Sequence, residues 1–143
     1  MLIAHVLREK GAQVHTARAE ISLEQAVREL DEKGVGALVV LSDDGSIAGV
    51  VSERDLVREV ARKGADCLEN AVKSVMSKHV VTAHPSETID EGLARMTDRR
   101  IRHLPVIDNG RLMGIVSIGD LVKHRIAAVE AEAAAMQAYI ATH

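Results

Sequence analysis

The sequence predicts an α/β fold of the α+β kind, built from two copies of a β-α-β-β-α unit with a further helix at each end. Three observations carry that expectation. First, GVVSERDLV at 49–57 returns as GIVSIGDLV at 114–122, an offset of 65 residues. Second, VHT at 14–16 returns as VVT at 80–82, and ALVVL at 37–41 as HLPVI at 103–107, both at an offset of 66. Third, the change of offset falls where SDDG in the first copy shortens to DNG in the second. Matches in one order with a single one-residue gap are the mark of an internal repeat.

Each repeat reads the same way. QVHTA and HVVTA are short apolar strands. A polar helix start follows: Ser22 with Gln25 three residues on, the spacing of a capping box, and in the second copy Ser86 ahead of Asp90 and Glu91. Leu23, Ala26, Val27 and Leu30 then repeat with helical spacing, as do Ile89, Leu93 and Met96. Two apolar strands come next, joined by DDG or NG, a hairpin signal in which glycine supplies positive φ. The pattern S-x-x-D-L-V opens a second helix, with Ser52 or Ser117 at its N-cap. One such unit is too small to cover its sheet, and two packed about a pseudo-twofold axis can. The predicted boundaries are one module over 1–143, with repeats at 8–65 and 72–126 and a C-terminal helix over 127–143. Residues 1–10 read as a short amphipathic helix, 120–141 as a long Ala-rich one, and the connecting stretch around Cys67 as a linker with a short helical piece.

Composition narrows the function. The chain has 143 residues, 47% hydrophobic and 27% charged, which suits one globular domain. Its formal net charge of −3 gives no general attraction to nucleic acid or anionic lipid. Tyr139 is the only aromatic, so stacking platforms for single-stranded nucleic acid are missing, and a bound base would be gripped by aliphatic side chains. One cysteine excludes an internal disulfide and a Cys-rich zinc site, which fits a reducing cytoplasm. No secretion signal and no apolar run near the ~20 residues of a membrane span is present. Seven histidines lack metal-ligand spacing, no glycine-rich phosphate loop appears, and no pair of residues suggests acid–base or nucleophilic catalysis, so the expectation is a protein that is not an enzyme and holds no metal.

The stretch RRIRHLPVI at 99–107 crowds Arg99, Arg100, Arg102 and His103 against a strand. Together with GVVSERDLV, GIVSIGDLV and RIRHLPVIDNGRLMGIVS, it resembles a tandem pair of CBS (cystathionine β-synthase) domains, a Bateman module, of the stand-alone bacterial type. The resemblance covers residues 8–126. It implies a disc-like pair, a homodimer of pairs, and adenine nucleotide in the cleft between repeats: AMP first, then ATP, ADP or NAD(H). It further implies an energy-sensing regulator that acts on an unidentified effector protein.

An adenosine phosphate sets three demands. The ribose diol wants a carboxylate acceptor, and Asp55 and Asp120 stand in first helical turns where backbone N–H groups fix them. Ser52 and Ser117 lie three residues earlier; the resemblance makes these S-x-x-D pairs ribose and phosphate contacts, while the plainer reading is that they only cap helices. Phosphate wants directional cations, best supplied by arginine. Arg102 and His103 align with Gly36 and Ala37, and Arg54 aligns with Gly119, so the cations are shared out unequally. The family's habit of combining the Asp of one repeat with the basic pair of the other would gather Ser52, Arg54 and Asp55 with Arg102 and His103, leaving a poorer site at Asp120. Arg99 and Arg100 read as solvated helix-end charges. The base wants an apolar slot, for which Thr16, Ala17, Ile101, Val51, Ile115 and Val116 are candidate walls, with Thr82 at the other site. S-adenosylmethionine, cationic and phosphate-free, would make poor use of the arginines. The competing class is a structural scaffold dimer with vestigial clefts, associating through Val129, Ala133, Met136 and Ile140 of the last helix.

Overall fold

The structure is a computed structural model that describes residues 1–11 and 13–143. They form two units, one of Val14–Val80 and one of Met1–Gln13 with Val81–His143. Helix α1 (Ile3–Lys10) opens the chain but packs in the second of these, through buried Ile3, Val6 and Leu7.

In the Val14–Val80 unit the expected order appears in full: β1 (Thr16–Arg18), α2 (Leu23–Lys33), β2 (Ala37–Leu41), β3 (Ile47–Ser52) and α3 (Glu53–Lys63). Strand β1 runs parallel to β2 with Thr16 beside Val39, and β3 runs antiparallel to β2 with Ser52 beside Ala37. The Ser22 hydroxyl accepts the Gln25 N–H at 3.1 Å, so Ser22 caps α2, although only this half of the expected capping box is made. Leu23, Ala26 and Leu30 are buried, whereas Val27, one step round the helix, is 41% exposed and leaves the expected apolar face. The core is aliphatic: Leu23, Leu38, Val40, Val51 and Val72 are fully buried. The connecting stretch contains the expected short helical piece, but Cys67 is a core residue rather than a linker one. It sits in a 3₁₀ turn (Ala65–Glu69), is 2% exposed, and belongs to this core.

The second unit contains α4 (Ile89–Arg99), β4 (His103–Asp108), β5 (Arg111–Ser117) and α5 (Ile118–Thr142). Its predicted first strand, HVVTA, is not a strand. Only Ala83 pairs, in a parallel bridge to Val106, donating its N–H to Pro105 and accepting from Ile107, both at 2.9 Å. The bond that would extend the ladder back through HVVTA corresponds to the one Val39 donates to the His15 carbonyl at 3.2 Å; in the second unit the donor position is Pro105, which has no N–H, so the ladder stops. Thr88, not Ser86, caps α4 by accepting the Glu91 N–H at 3.1 Å. Asn109 and Gly110 form the two-residue hairpin loop between Asp108 and Arg111, both at positive φ. Arg100 closes α4 in the left-handed conformation (φ 54°) where Gly34 closes α2 (φ 63°), so the second repeat carries strain of about 1 kcal/mol there that glycine avoids. That places Arg100 as a helix-end residue, as expected.

A further correspondence is written in the backbone. Leu23 donates to the Asn70 carbonyl at 2.9 Å as Ile89 does to Met1 at 3.1 Å. Val72 donates to Ile21 at 2.8 Å as Ile3 does to Glu87 at 2.9 Å, and Lys73 donates to Ala19 at 3.0 Å as Ala4 does to Pro85 at 2.9 Å. Residues 1–4 therefore do for one unit what residues 70–73 do for the other. Each repeat is completed by a segment outside its own β-α-β-β-α order.

Candidate functional site

The two S-x-x-D motifs form matching caps. Strand β3 ends at Ser52, whose hydroxyl accepts the Asp55 N–H at 3.3 Å while Asp55 Oδ2 accepts the Ser52 N–H at 2.9 Å. The Ser52 hydroxyl lies a further 3.0 Å from that oxygen. Strand β5 ends at Ser117 in the same way: Asp120 donates its N–H to the Ser117 hydroxyl at 3.1 Å, and Oδ2 accepts the Ser117 N–H at 2.8 Å. These reciprocal bonds fix both carboxylates in the first helical turn, next to the positive end of the backbone dipole. Both aspartates are partly buried rather than sealed, so each presents a held carboxylate at the surface of its unit.

Around these caps the sheet register sets the neighbours. His103 pairs with Ser117 at the start of β4, and the Arg102 carbonyl accepts the Ile118 N–H at 2.8 Å. Arg102, His103, Ser117 and Asp120 therefore converge at one end of the β4–β5 hairpin. In the other unit the Gly36 carbonyl accepts the Glu53 N–H at 3.0 Å, and Ser52, Arg54 and Asp55 lie at the corresponding end of the β2–β3 hairpin. Arg54 and Arg102 are exposed, and among the described residues neither side chain is committed to an ion pair.

The candidate walls divide. Thr16 is exposed on β1 and Ala17 beside it is buried. Ile101 is half-buried against the core of its unit, and Thr82 is half-buried with its carbonyl accepting Arg95 Nη1 at 2.9 Å. Val51 and Val116 are fully buried core residues of their units. Each shares a buried sheet face with its cross-strand partner, Leu38 or Leu104, while its neighbours along the strand turn to the other face, as the two-residue period of a strand dictates.

Sequence reasoning missed Lys10. Its ammonium group lies 2.6 Å from Asp120 Oδ2 and 2.9 Å from the Ile115 carbonyl. Burial raises the Asp120 pKa, but the Lys10 bond and charge and the Ser117 N–H outweigh it, leaving the carboxyl more acidic than an ordinary aspartate. The signal lay in the spacing of Ile3, Val6 and Leu7, which matches Val72, Val75 and Met76 of the linker.

A second tether stands one turn on. His124 is 8% exposed; its Nδ1 is 2.9 Å from the Asp120 carbonyl and its Nε2 is 2.7 Å from Glu9 Oε2. Both ring nitrogens face acceptors, an arrangement that suits the imidazolium. The Asp120 carbonyl is the main cause of a raised His124 pKa; burial opposes it, Glu9 adds to it, and the Lys123 charge slightly reduces it. A pKa raised on folding means stability that is complete below the unfolded value of about 6.5 and is lost as pH climbs through the folded value. Urea unfolding from pH 5.5 to 8.5 should show wild type losing stability relative to His124→Gln as pH rises. Parallel curves would refute the tether.

Among the described residues, no group of three or more His, Cys, Asp or Glu side chains is placed to hold a metal ion, and no helix is long and apolar enough to cross a membrane. From Val129 onward helix α5 leaves its unit: Val129, Met136 and Ile140 are 46%, 61% and 66% exposed. The stripe does not pack back on the rest of its unit.

Comparison with known proteins agrees with this arrangement. The family model for the CBS domain matches twice, at residues 7–62 and 72–127. The chain is 30% identical over 146 residues to the CBS domain-containing protein CBSX3, mitochondrial, of Arabidopsis thaliana, covering 96% of this chain and 71% of that protein. Some curated relatives extend further, the chain spanning 54% and 33% of two of them. Among solved structures, the CBS-domain containing protein ATU1752 from Agrobacterium tumefaciens superposes with a TM-score of 0.85 at 42% identity, over 87% of this chain and 92% of that one. CBSX2 in complex with AMP superposes with a TM-score of 0.67 at 26% identity, over 81% and 90% of the two chains. The repeated S-x-x-D caps, the two β-α-β-β-α sequences and these matches make the chain a member of the CBS-domain family, a tandem CBS pair.

Proposed function

We propose that this protein is a non-catalytic regulatory module that binds an adenosine phosphate, with AMP as the favoured ligand and ATP, ADP and NAD(H) behind it. The observation that carries this is the doubled S-x-x-D cap, which holds Asp55 and Asp120 as partly exposed carboxylates at the hairpin ends that carry Arg54 and Arg102, whose side chains make no ion pair among the described residues. A carboxylate fixed by its own helix is a ready acceptor for a ribose diol, and an uncommitted guanidinium is a ready donor to phosphate. The related CBSX2 has been solved with AMP, which supports the ligand class. On the family resemblance we assign diol and phosphate contacts to Ser52, Arg54, Asp55, Arg102 and His103, base contacts to Thr16, Ala17 and Ile101, and a subsidiary position to Ser117, Asp120 and Thr82.

Ligand would act by favouring one of two arrangements of the chain, to the extent that it binds one more tightly. The exposed stripe of α5 supports a homodimer as the form that responds, and an effector protein as the reader. The buried thiol of Cys67 fits the reducing cytoplasm as the working compartment. The test is calorimetric titration with AMP, ADP, ATP, NAD⁺ and NADH. A hydrogen bond to a charged group contributes ~1.5–3 kcal/mol, so Asp55→Asn and Arg102→Ala should each weaken AMP binding by about 10- to 100-fold. If no member of the panel binds nucleotide-free protein, the proposal fails, and the α5 stripe then favours a scaffold that associates without ligand.

A further inference from the structure

The two S-x-x-D caps are alike in backbone but not in charge. Asp55 Oδ2 is met by the Ser52 N–H and by a hydroxyl at 3.0 Å, which can turn its hydrogen toward another acceptor. Asp120 Oδ2 is met by the Ser117 N–H and by the Lys10 ammonium at 2.6 Å, itself held by the Ile115 carbonyl at 2.9 Å. The backbone correspondence of residues 1–4 with 70–73 places His79 at the position equivalent to Lys10. His79 is exposed and, among the described residues, makes no hydrogen bond or ion pair. The difference has a structural origin. Helix α1 runs unbroken to Lys10, seated by Leu7 over Gly114 and by Glu9 on His124. The equivalent segment is a short 3₁₀ turn, Val72–Ser74, and then pairs through Ser77 with Val50.

We infer that Lys10 is a specificity-determining residue that makes the two ligand positions unequal: it occupies the Asp120 carboxylate as an internal cation and leaves Asp55 as the open acceptor. The inference rests on the reading of these aspartates as diol acceptors. A carboxylate already neutralised by an ammonium ion accepts a diol less well, and a ligand at Asp120 must first move Lys10. The lowered pKa of Asp120 reports the same pairing. Side-chain exposures of 32% for Lys10 and 25% for Asp120 keep the pair partly in water, so its strength is that of a modest surface ion pair. The expected penalty at this position is about fivefold in affinity, a gate rather than a permanent block.

Calorimetric titration with AMP tests it on the wild-type chain, Lys10→Met and Lys10→Arg. Wild type should bind one equivalent tightly; Lys10→Met should gain about fivefold in affinity at a second equivalent, and Asp120→Asn added to it should erase the gain. Lys10→Arg, which keeps the charge, should behave as wild type. The Asp120 carboxyl, followed by NMR without ligand, should titrate at higher pH in Lys10→Met, and the native dispersion of the amide signals in the same spectra shows that the variant is folded. AMP binding to wild type with no gain in Lys10→Met overturns this inference and leaves the functional reading standing. Weaker binding in Lys10→Met overturns it too, because Lys10 would then be a ligand contact. No AMP binding by any variant overturns the functional reading and this inference with it.

Discussion

Leu121→Ala should lower stability by about 2–5 kcal/mol, a large share of the ~5–15 kcal/mol available to a domain of this kind. Leu121 is fully buried in α5, in the core shared by Ile3, Met96, Leu104 and Val116. Truncation removes its transfer free energy and leaves a cavity in an interior that is close-packed. The geometry permits a sharper check. A Cβ built on Gly92 would stand 2.9 Å from Leu121 Cδ1 and 3.2 Å from Ile3 Cδ1, so Gly92→Ala alone crowds the core. In the Leu121→Ala background the first clash disappears, the added methyl fills part of the hole, and the helix gains ~0.5–1 kcal/mol from alanine over glycine. Urea unfolding of the four proteins in the cycle should therefore show Gly92→Ala destabilising wild type and stabilising Leu121→Ala. Additive effects would mean that the two residues do not meet as described.

Gly49→Ala should cost about 1–3 kcal/mol, and more than Gly114→Ala, although the two glycines are equivalent in the repeat. A Cβ on Gly49 would lie 2.7 Å from the Ser77 carbonyl oxygen and 2.8 Å from Met76 Sδ. That carbonyl cannot retreat, because Ser77 and Val50 exchange backbone hydrogen bonds at 2.9 and 3.1 Å. A Cβ on Gly114 would meet Leu7 Cδ2 at 2.6 Å, but its three nearest atoms all belong to the Leu7 side chain, which can change rotamer. Thermal unfolding of the two variants decides the matter. An equal or larger loss in Gly114→Ala would show that α1 is held as rigidly over its glycine as the Met76–Ser77 segment is over Gly49.

Much of this was legible in the chain itself. The repeat from GVVSERDLV to GIVSIGDLV, the hairpins at DDG and NG, and the S-x-x-D caps all depend on local chemistry: alternation, positive φ at a turn, and a side chain reaching a backbone N–H three residues away. Such bonds span few residues, so the order of letters states them directly. The exceptions arose where a partner remote in sequence decided the outcome. HVVTA has strand character, yet Pro105 on the partner strand has no N–H to give it the next ladder bond. Cys67 reads as linker, yet the 3₁₀ turn carries it into a core built from β2, β3 and α2.

The two-repeat α+β architecture, its helix and hairpin positions, and the pair of capped aspartates can be read from the order of residues, because each follows from contacts within about one turn or one hairpin. That residues 1–4 complete the later repeat as 70–73 complete the earlier one, and that Lys10 therefore rests on Asp120, emerges only from the folded chain. Those two residues are 110 positions apart. No local propensity encodes such a meeting; it follows from burying Ile3, Val6 and Leu7, which carries the polar end of α1 to the carboxylate.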